Sequence, residues 1–311
     1  HYCPQGLIIT SIEYDHADIF QSLDDIMLSF AKLISSMPEN GVIVANYDDE
    51  NVRKLCKQAK CKVISYSTEG NEASYQAKIL SSDKAGSQFQ LKTPQNKLTF
   101  DVPFHGEHNI ANATACLALL IEQGINADKL FEGLKTFAGV KRRLELVGEH
   151  RQVTILDDFA HHPTAVKKTL AAVRSRYPDC RLWAIFEPRS NTSRRDIFRK
   201  EYTKALMGAD RVVISGVYKA NDIPASERLD VQKLADTLIR RGPDAHYIDD
   251  LEMIPEFIVR NIAPNDVVLF MSNGTFGGLP QKTFAALNRR KLYLDEAAIP
   301  MGRVPKQKTA G

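Results

Sequence analysis

The sequence predicts an α/β protein built on two largely parallel sheets, and two observations support this fold class. Strand-like apolar runs alternate with helix-like stretches through most of the 311 residues, a pattern typical of parallel sheets with helical crossovers. The alternation then begins again after the segment 139–143. Since domains commonly contain about 100 to 150 residues, we expect domains at 1–139 and 140–292, and a polar tail at 293–311.

In the first domain, apolar runs predict strands, and apolar positions at helical spacing predict helices. Short alternating segments between residues 73 and 104 are joined by Ser, Gly, Asp, Asn and Pro. They predict a small antiparallel flank with one wet face. The expected strands are 7–11, 41–45 and 62–66, and the expected helices are 19–37, 51–59, 109–123 and 127–137.

The second domain repeats the strand and helix alternation five times. This regularity predicts a doubly wound, Rossmann-like C-terminal domain, in which ligands are held at the carboxyl ends of the strands. The expected strands are 153–156, 181–186, 211–215, 245–248 and 267–271.

Composition excludes several classes of protein. Lys and Arg number 41 against 38 Asp and Glu, and the two signs are interspersed, so nothing indicates a nucleic-acid partner. No apolar run approaches the roughly 20 residues of a membrane helix, so we expect no membrane partner. The five cysteines are odd in number and form no Cys-x-x-Cys pair, which favours a reducing, cytoplasmic location.

The chain begins with His1 rather than Met and runs almost at once into a strand-like segment. A domain does not normally begin at the edge of its own strand. We therefore expect the chain to be a fragment of a longer protein.

The most informative segment is 154–163, Thr-Ile-Leu-Asp-Asp-Phe-Ala-His-His-Pro. Asp157, Asp158, His161 and His162 follow a predicted buried strand, where an α/β sheet holds its ligands. Carboxylates and imidazoles are costly to bury without partners. These residues are therefore candidates for chemistry, with a purely structural role as the alternative.

A second acidic segment, 13–18, follows the first predicted strand. It places His16 between carboxylates, and imidazole and carboxylate groups are ordinary ligands of divalent ions. The alternative is that Asp15 or Asp18 only caps the next helix.

Two further segments suggest nucleotide contacts. Asn109 and Asn112 are three residues apart on a predicted helix, so both amides can meet one planar group such as a purine edge. Arg143 lies in a basic cluster suited to phosphate. The alternatives are an ordinary helix cap for Asn109 and a solvated linker for the basic cluster.

Two loops of the second domain should share the rim of Asp158 and His161. Their donors suit a ligand that carries carboxylates, although ordinary capping loops remain the alternative. Their candidate substrate-binding residues are Arg189, Asn191, Thr192, Ser193, Ser272 and Asn273. No Gly-x-x-x-x-Gly-Lys-Ser/Thr loop occurs in the sequence, so a triphosphate cradle would have to lie elsewhere.

Taken in order, four motifs resemble the Mur ligase family, ATP-dependent ligases that build the peptide of bacterial cell-wall precursors. The motifs are Glu-x-Asp-His-x-Asp, Gly-x-His-Asn-x-x-Asn, Arg-Arg-Leu-Glu and Asp-Asp-x-Ala-His-His-Pro, and the resemblance spans roughly 7–290. It implies that 1–139 is the later part of the family's central, ATP-binding domain and that 140–292 is its C-terminal domain. The family's phosphate loop and a metal-binding Glu would precede His1.

The resemblance also implies roles for individual residues, with ATP and Mg²⁺ as cofactors. His16 matches the magnesium-ligand histidine, and Asn109 and Asn112 match the amides that meet adenine. Arg143 and Asp158 match residues that close over the ribose and phosphates, Asp158 being a catalytic candidate as well. His161 matches a catalytic histidine near the incoming amine. The loop that contacts the added residue corresponds to Arg189, Asn191, Thr192 and Ser193.

Within the family, three motifs resemble the branch that joins the tripeptide L-Ala-γ-D-Glu-meso-diaminopimelate to UDP-N-acetylmuramate. They are Glu-Tyr-Asp-His-Ala-Asp, Phe-Glu-Pro-Arg-Ser-Asn-Thr and Ser-Asn-Gly-x-Phe-Gly-Gly. We expect that reaction for the full-length protein and no activity for a fragment without the phosphate loop. The alternatives are an L-alanine ligase, a folylpolyglutamate-type ligase, a non-catalytic binding module and a metal-dependent hydrolase.

Overall fold

A computed structural model describes residues 4–289, and these form two α/β units in succession, each a sheet between two layers of helices. This confirms the predicted fold class. The expected tail at 293–311 lies outside the described residues.

The first sheet has the strand order β1-β2-β3-β4-β5-β6. Strands β1 to β4 pair in parallel, while β4, β5 and β6 form the expected antiparallel flank. Its strands are β1 (Gly6–Ile9), β2 (Val42–Asn46), β3 (Lys62–Ser67), β4 (Tyr75–Ser82), β5 (Ser87–Lys92) and β6 (Lys97–Val102). Its helices are α1 (Leu23–Ser35), α2 (Glu50–Cys56), α3 (Glu107–Glu122) and α4 (Ala127–Lys135).

Strand β2 is apolar on both faces because helices cover both sides of the sheet. Val42 and Val44 pack in the core with α3 and α4, whereas Ile43 and Ala45 pack with α1 and α2. Burial of each large aliphatic side chain contributes about 1.5 to 3 kcal/mol. The uninterrupted apolar run in the sequence thus reflects a strand in the middle of three layers.

Helix α1 begins four residues later than the sequence predicts. Ser22 caps it: the Ser22 hydroxyl accepts from the Asp25 N–H (3.3 Å), and the Asp25 carboxylate accepts from the Ser22 N–H (2.9 Å). The residues before Ser22 form a turn instead of a helix, in which the carbonyl of His16 accepts from the N–H of Ile19 (2.8 Å). This reciprocal capping box ends the loop and fixes the start of the helix.

The second sheet has the order β11-β10-β9-β12-β8-β7, with only β7 antiparallel. Its strands are β7 (Glu145–His150), β8 (Val153–Asp158), β9 (Arg181–Phe186), β10 (Arg211–Ser215), β11 (Asp244–Ile248) and β12 (Asp266–Met271). Its helices are α5 (Pro163–Arg176), α6 (Arg199–Leu206), α7 (Val231–Ile239), α8 (Met253–Asn261) and α9 (Leu279–Arg289).

The order of these strands creates a crevice at the carboxyl ends of β9 and β12. Helices α5, α6 and α7 share one core with Leu156 and Leu269, and helices α8 and α9 share the opposite core with Ile155 and Val268. The chain therefore leaves the neighbouring strands β9 and β12 toward opposite faces. Such a switch point is where open α/β sheets bind ligands.

Strand β7 was missed by the sequence reasoning. Its pairing with β8 is irregular between Leu146 and Gly148, and this irregularity hides the alternation expected of an edge strand. Gly148 is required there, because a Cβ at this position would lie 2.4 Å from the Phe284 ring. The turn into β8 uses Arg151 and Gln152 at positive φ, without the glycine that normally signals a hairpin.

The carboxylate of Asp48 holds the loop that follows β3. Its carboxylate accepts from the Ser67 hydroxyl (2.6 Å), the Thr68 N–H (2.7 Å) and the Asn71 amide (2.9 Å). Burial alone would raise the pKa of Asp48, but these hydrogen bonds outweigh it and hold the pKa below its usual 3.8. The charged carboxylate therefore contributes stability above pH 3.8 that is lost as the pH falls through the lower folded pKa.

We expect Asp48→Asn to be less stable than the wild type at pH 7, with a deficit that shrinks once the pH falls below about 4. Urea unfolding of both proteins across this range measures the difference. A deficit of the same size at pH 7 and pH 3 would contradict the role of the charge.

Candidate functional site at the junction of the two domains

The loop that follows β1, residues 13–18 (the β1 loop), is bonded to the rim of the second sheet. Each of its three carboxylates accepts a hydrogen bond from that rim, so the two units meet where the sequence places its candidate residues. The bonds join Thr164 Oγ1 to Glu13 Oε2 (2.6 Å), Thr192 Oγ1 to Asp15 Oδ1 (2.6 Å) and Asn191 Nδ2 to Asp18 Oδ2 (2.7 Å).

His162 also bridges the two units. It is the N-cap of α5, and its Nε2 lies 3.1 Å from the carbonyl oxygen of Tyr14 in the β1 loop. Its Nδ1 accepts from the N–H of Thr164 (3.4 Å). Because the Tyr14 carbonyl only accepts, this contact places a proton on Nε2, and Oε2 of Glu13 in the same loop lies 3.5 Å from Nδ1. His162 therefore serves the junction rather than a ligand.

His16 lies at the exposed tip of the β1 loop. Its φ of 54° is left-handed, and within residues 4–289 its imidazole makes no hydrogen bond, so the ring is available to a ligand. Mg²⁺ prefers oxygen ligands and is usually held by one or two carboxylates together with phosphate oxygens and water, so His16 would supply at most one of its ligands. The metal role of His16 stays a prediction. Nowhere in the described range do three His, Cys, Asp or Glu side chains gather as a metal site.

Asp158 is almost completely enclosed, with 2% of its surface exposed. Oδ1 accepts from the Ala160 N–H (2.7 Å) and the Thr169 hydroxyl (3.3 Å), and Oδ2 accepts from the Leu144 N–H (2.8 Å). Burial raises the pKa of Asp158, and the two backbone hydrogen bonds oppose that shift. The carboxylate thus ties the linker before β7 to the end of β8. Its contact with a nucleotide stays a prediction.

The basic cluster packs on one aromatic ring. The guanidinium carbons of Arg142 and Arg143 lie 5.2 and 5.3 Å from the centroid of Phe159. Arg142 also pairs with Asp157 (Nε to Oδ2, 3.4 Å) and donates to the carbonyl of Ser272. Arg143 remains exposed. It is therefore the member of the pair that is free to meet a phosphate.

His161 has the geometry of a proton acceptor. Its Nδ1 lies 2.9 Å from the carbonyl oxygen of Phe159. Since a carbonyl only accepts, Nδ1 carries the proton and Nε2 keeps its lone pair. Burial lowers the pKa of His161, although the nearby Asp15 carboxylate partly opposes this shift. A neutral imidazole with a free Nε2 can take a proton from an amine.

Glu187 organises the crevice between β9 and β12. It is 1% exposed, and its carboxylate accepts from the hydroxyl of Ser272 and lies 3.4 Å from Nη1 of Arg189. The Arg189 guanidinium stacks 3.7 Å above the ring centroid of Tyr218. A Cβ on Gly274 would lie 1.9 Å from Nε of Arg189, so any larger residue there would force the Arg189 side chain to move. Arg189 is thereby held at the crevice in one fixed orientation.

Two predicted substrate residues are turned inward. Ser193 is fully buried and its hydroxyl accepts from the Arg189 N–H (3.0 Å), which shapes the loop. Thr192 is 2% exposed and bonds to the β1 loop. Asn191 is exposed but bonds to Asp18, and Asn273 keeps a buried Oδ1 without a partner in the described residues. Direct contact of these four with a substrate stays a prediction.

The predicted adenine residues begin α3. Asn109 is half-buried and donates to the carbonyl of His105 (2.8 Å), while Asn112 is exposed one turn later. Gly106, at φ 90°, lets α5 approach, since a Cβ there would lie 2.6 Å from that of Ala172. The contact of Asn109 and Asn112 with adenine stays a prediction.

Sequence reasoning assigned no role to Glu187, Tyr218, Gly274 or Glu13, which the structure makes part of the rim. Glu187 and Gly274 lie inside the motifs that carry the resemblance, so their position after a buried strand was the available signal. Tyr218 follows β10 without such a motif. The metal-dependent hydrolase is not supported, because Asp158 and His162 are bonded to backbone groups and form no cluster.

Two family models match the chain. The Mur ligase middle domain matches residues 3–120, and the Mur ligase, glutamate ligase domain matches residues 142–274. The chain therefore belongs to the Mur ligase family, as its motifs predict. Members of this family are ATP-dependent ligases that form amide C–N bonds and use ATP and Mg²⁺.

Curated relatives include two kinds of ligase. A UDP-N-acetylmuramate--L-alanine ligase from Acetivibrio thermocellus is 33% identical over 87% of this chain and 58% of its own length. A UDP-N-acetylmuramate--L-alanyl-gamma-D-glutamyl-meso-2,6-diaminoheptandioate ligase from Escherichia coli is also 33% identical, over 93% of this chain and 61% of its own length. The chain thus spans about 60% of the length of either relative.

Solved structures share the fold. The alanine ligase MurC from Thermotoga maritima has a TM-score of 0.73 at 22% identity, covering 93% of this chain and 61% of that one. The murein peptide ligase Mpl from Psychrobacter arcticus has a TM-score of 0.65 at 27% identity, covering 92% and 58%. Among the helices of residues 4–289, none combines the length and apolar character needed to cross a membrane.

Proposed function

We propose that the protein containing this chain is an ATP-dependent ligase that joins a peptide amine to the lactyl carboxylate of UDP-N-acetylmuramate. The observation that supports this most directly is the contact between the β1 loop and the rim of the second sheet. It brings His16, a candidate metal ligand, to the same junction as His161, a candidate proton acceptor. Such a ligation needs a metal ion at the transferring phosphate and a group that accepts the proton of the attacking amine.

The reaction would run in two steps, phosphorylation of the carboxylate and then formation of the amide. The lactyl carboxylate oxygen attacks the γ-phosphorus of ATP, forming an acyl phosphate and releasing ADP; the amine then attacks the acyl carbon, and phosphate leaves as the amide forms. Mg²⁺ would supply charge neutralisation on the transferring phosphoryl group. In this chain, Nε2 of His161 would take the amine proton, and Arg143 would orient phosphate oxygens.

For the acceptor we propose the tripeptide L-Ala-γ-D-Glu-meso-diaminopimelate, and L-alanine is the alternative. The tripeptide carries three carboxylates and alanine carries one. The crevice offers Arg189 stacked on Tyr218, with Lys219 over the same ring (5.7 Å) and Arg194 beside Asn191. Several cations around one crevice suit an acceptor with several carboxylates. The relatives include enzymes of both kinds.

The test supplies the complete protein with ATP, Mg²⁺, UDP-N-acetylmuramate and either acceptor, and measures the nucleotide-sugar product. We expect the tripeptide to be ligated in this assay. In the cell, we expect the reaction to take place in the cytoplasm, where ATP is available. Product with alanine alone would establish the alternative. Tripeptide binding by calorimetry without any product would favour a non-catalytic binding module.

Gly274→Ala should impair use of the acceptor selectively. Its Cβ would displace the Arg189 side chain from Tyr218, so we expect the KM for the tripeptide to rise about tenfold or more, while the KM for ATP stays nearly unchanged. Gly133→Ala is the matched control, because a Cβ there meets nothing within 4 Å. Equal effects of the two substitutions would contradict the assignment of Arg189.

A further inference from the structure

The Thr192 hydroxyl of the second unit lies between the two residues that flank His16. It donates to Oδ1 of Asp15 (2.6 Å) and accepts from the N–H of Ala17 (3.4 Å). Both contacts cross from the loop after β9 to the loop after β1. One buried side chain of the second unit therefore holds the carboxylate of Asp15 and the backbone N–H of Ala17, the residues on either side of His16.

His16 needs such support because its backbone is strained. A non-glycine residue at φ 54° costs roughly 1 kcal/mol and persists only where its surroundings fix it. Oδ1 of Asp15 accepts from the His16 N–H (2.7 Å) as well as from Thr192. The same carboxylate oxygen thus joins the strained residue to the second unit.

We propose that Thr192 is a positioning residue, which sets the orientation of His16 when the second unit docks on the first, and so links docking to metal binding. This inference rests on the proposed function, because that function gives His16 its metal. In this proposal Thr192 does not contact the substrate directly, because its side chain is buried and its hydroxyl donates its only proton to Asp15.

A second contact keeps the two loops in register. The side-chain amide of Asn191 donates through Nδ2 to Asp18 (2.7 Å), and its Oδ1 accepts from Nη2 of Arg194 (2.5 Å). The asparagine amide is thereby oriented from its own unit before it reaches the β1 loop. The β1 loop is therefore held on both sides of His16, and Thr192 supplies the contact nearest the imidazole.

The test compares Thr192→Val, which keeps the shape but removes the hydroxyl, with Thr192→Ser, which restores it. In the chain itself, we expect Thr192→Val to speed hydrogen exchange of the amides of residues 16–20 about tenfold, and Thr192→Ser to stay near the wild type. Thr237→Val is the matched control and should leave this exchange unchanged, because the half-buried Thr237 bonds within α7, its hydroxyl donating to the Lys233 carbonyl (2.6 Å). Unchanged exchange in Thr192→Val would overturn the proposal.

In the complete protein, Mn²⁺ serves as the probe for the metal, measured by electron paramagnetic resonance with ADP present. We expect Thr192→Val to weaken Mn²⁺ binding about tenfold and to raise the Mg²⁺ needed for half-maximal turnover, with the KM for the acceptor unchanged. A raised acceptor KM with normal Mn²⁺ binding would instead make Thr192 a substrate contact. Since exchange and Mn²⁺ binding need no turnover, they still decide the role of Thr192 if the ligase reaction itself is absent.

Discussion

Replacement of Asp158 by alanine is expected to lower the free energy of unfolding of the second unit by about 3 to 5 kcal/mol. Among residues 4–289, the carboxylate is the only acceptor recorded for three donors in an enclosed position: the N–H groups of Leu144 and Ala160 and the hydroxyl of Thr169. Loss of this acceptor leaves buried donors unpaired, which costs about 1 to 3 kcal/mol for each. Chemical denaturation of the variant and the wild type measures the difference.

The same substitution should also loosen the linker between the units. Arg142 and Leu144 both have positive φ, and the Leu144 N–H is fixed only by Asp158 among the described contacts. We therefore expect faster hydrogen exchange in residues 141–146 and, in the complete protein, loss of turnover.

Asp158→Asn tests the charge separately from the shape, because it keeps one acceptor oxygen but turns an NH₂ group toward backbone donors. It should retain only part of the stability. Asp179→Ala, at an exposed position, is the control. If Asp158→Ala lowers the free energy of unfolding by less than about 1 kcal/mol, the role of the carboxylate as a buried hydrogen-bond acceptor is contradicted.

The sequence predicts which candidate residues share one rim because strand ends are visible in the apolar pattern. Runs such as Val267–Met271 are buried on both faces, so their lengths and ends can be read directly. The rule that parallel strands end at one edge then places Asp158, Arg189 and Ser272 on one rim. The structure brings these residues together: the Ser272 N–H donates to the Asp158 carbonyl (3.1 Å), and the Ser272 hydroxyl donates to the Glu187 carboxylate that lies beside Arg189.

The sequence does not predict which way each side chain turns. Asp158, Thr192 and Ser193 have polar side chains at a ligand-binding edge, and that pattern favours contact with a ligand. All three side chains make hydrogen bonds within the protein: Thr192 bonds to Asp15, far away in the chain, whereas Ser193 bonds to Arg189, only four residues before it. Their contact with a ligand stays a prediction. Periodicity contains no information on such pairings.

Contacts between the units are also invisible in the pattern. Glu13 and Thr164 are separated by 151 residues and meet only because the β1 loop docks on α5. The edge strand β7 was missed for a local reason, since the irregular pairing around Gly148 breaks the alternation. Both failures concern contacts rather than hydrophobic burial.

Glu187→Ala should be the most damaging change in the crevice. It removes the buried carboxylate beside Arg189 and leaves the Ser272 hydroxyl without its acceptor. Breaking a fully buried pair by removing one partner costs about 3 to 5 kcal/mol, and the 25% exposure of the Arg189 side chain reduces that cost here. We therefore expect tripeptide affinity, measured by calorimetry, to fall by a factor of about 100 or more.

Glu256→Ala is the matched control for the loss of an ion pair. Its carboxylate pairs with Arg260 one turn later (2.5 Å) on the exposed face of α8. Exposed helical pairs contribute only about 0.3 to 0.5 kcal/mol, so this variant should bind the tripeptide normally. Comparable losses of affinity in both variants would indicate a general loss of folding rather than a specific effect at the crevice.

A double variant separates the two causes of the effect at Glu187. If the damage comes from leaving the Arg189 guanidinium without its partner, then Glu187→Ala combined with Arg189→Met should be more stable than Glu187→Ala alone, because no uncompensated charge remains. Tripeptide affinity should stay low in the double variant, since the guanidinium that would meet a carboxylate is gone. Recovery of stability without recovery of affinity would show that Glu187 acts by holding Arg189; recovery of both would exclude Arg189 from the acceptor site.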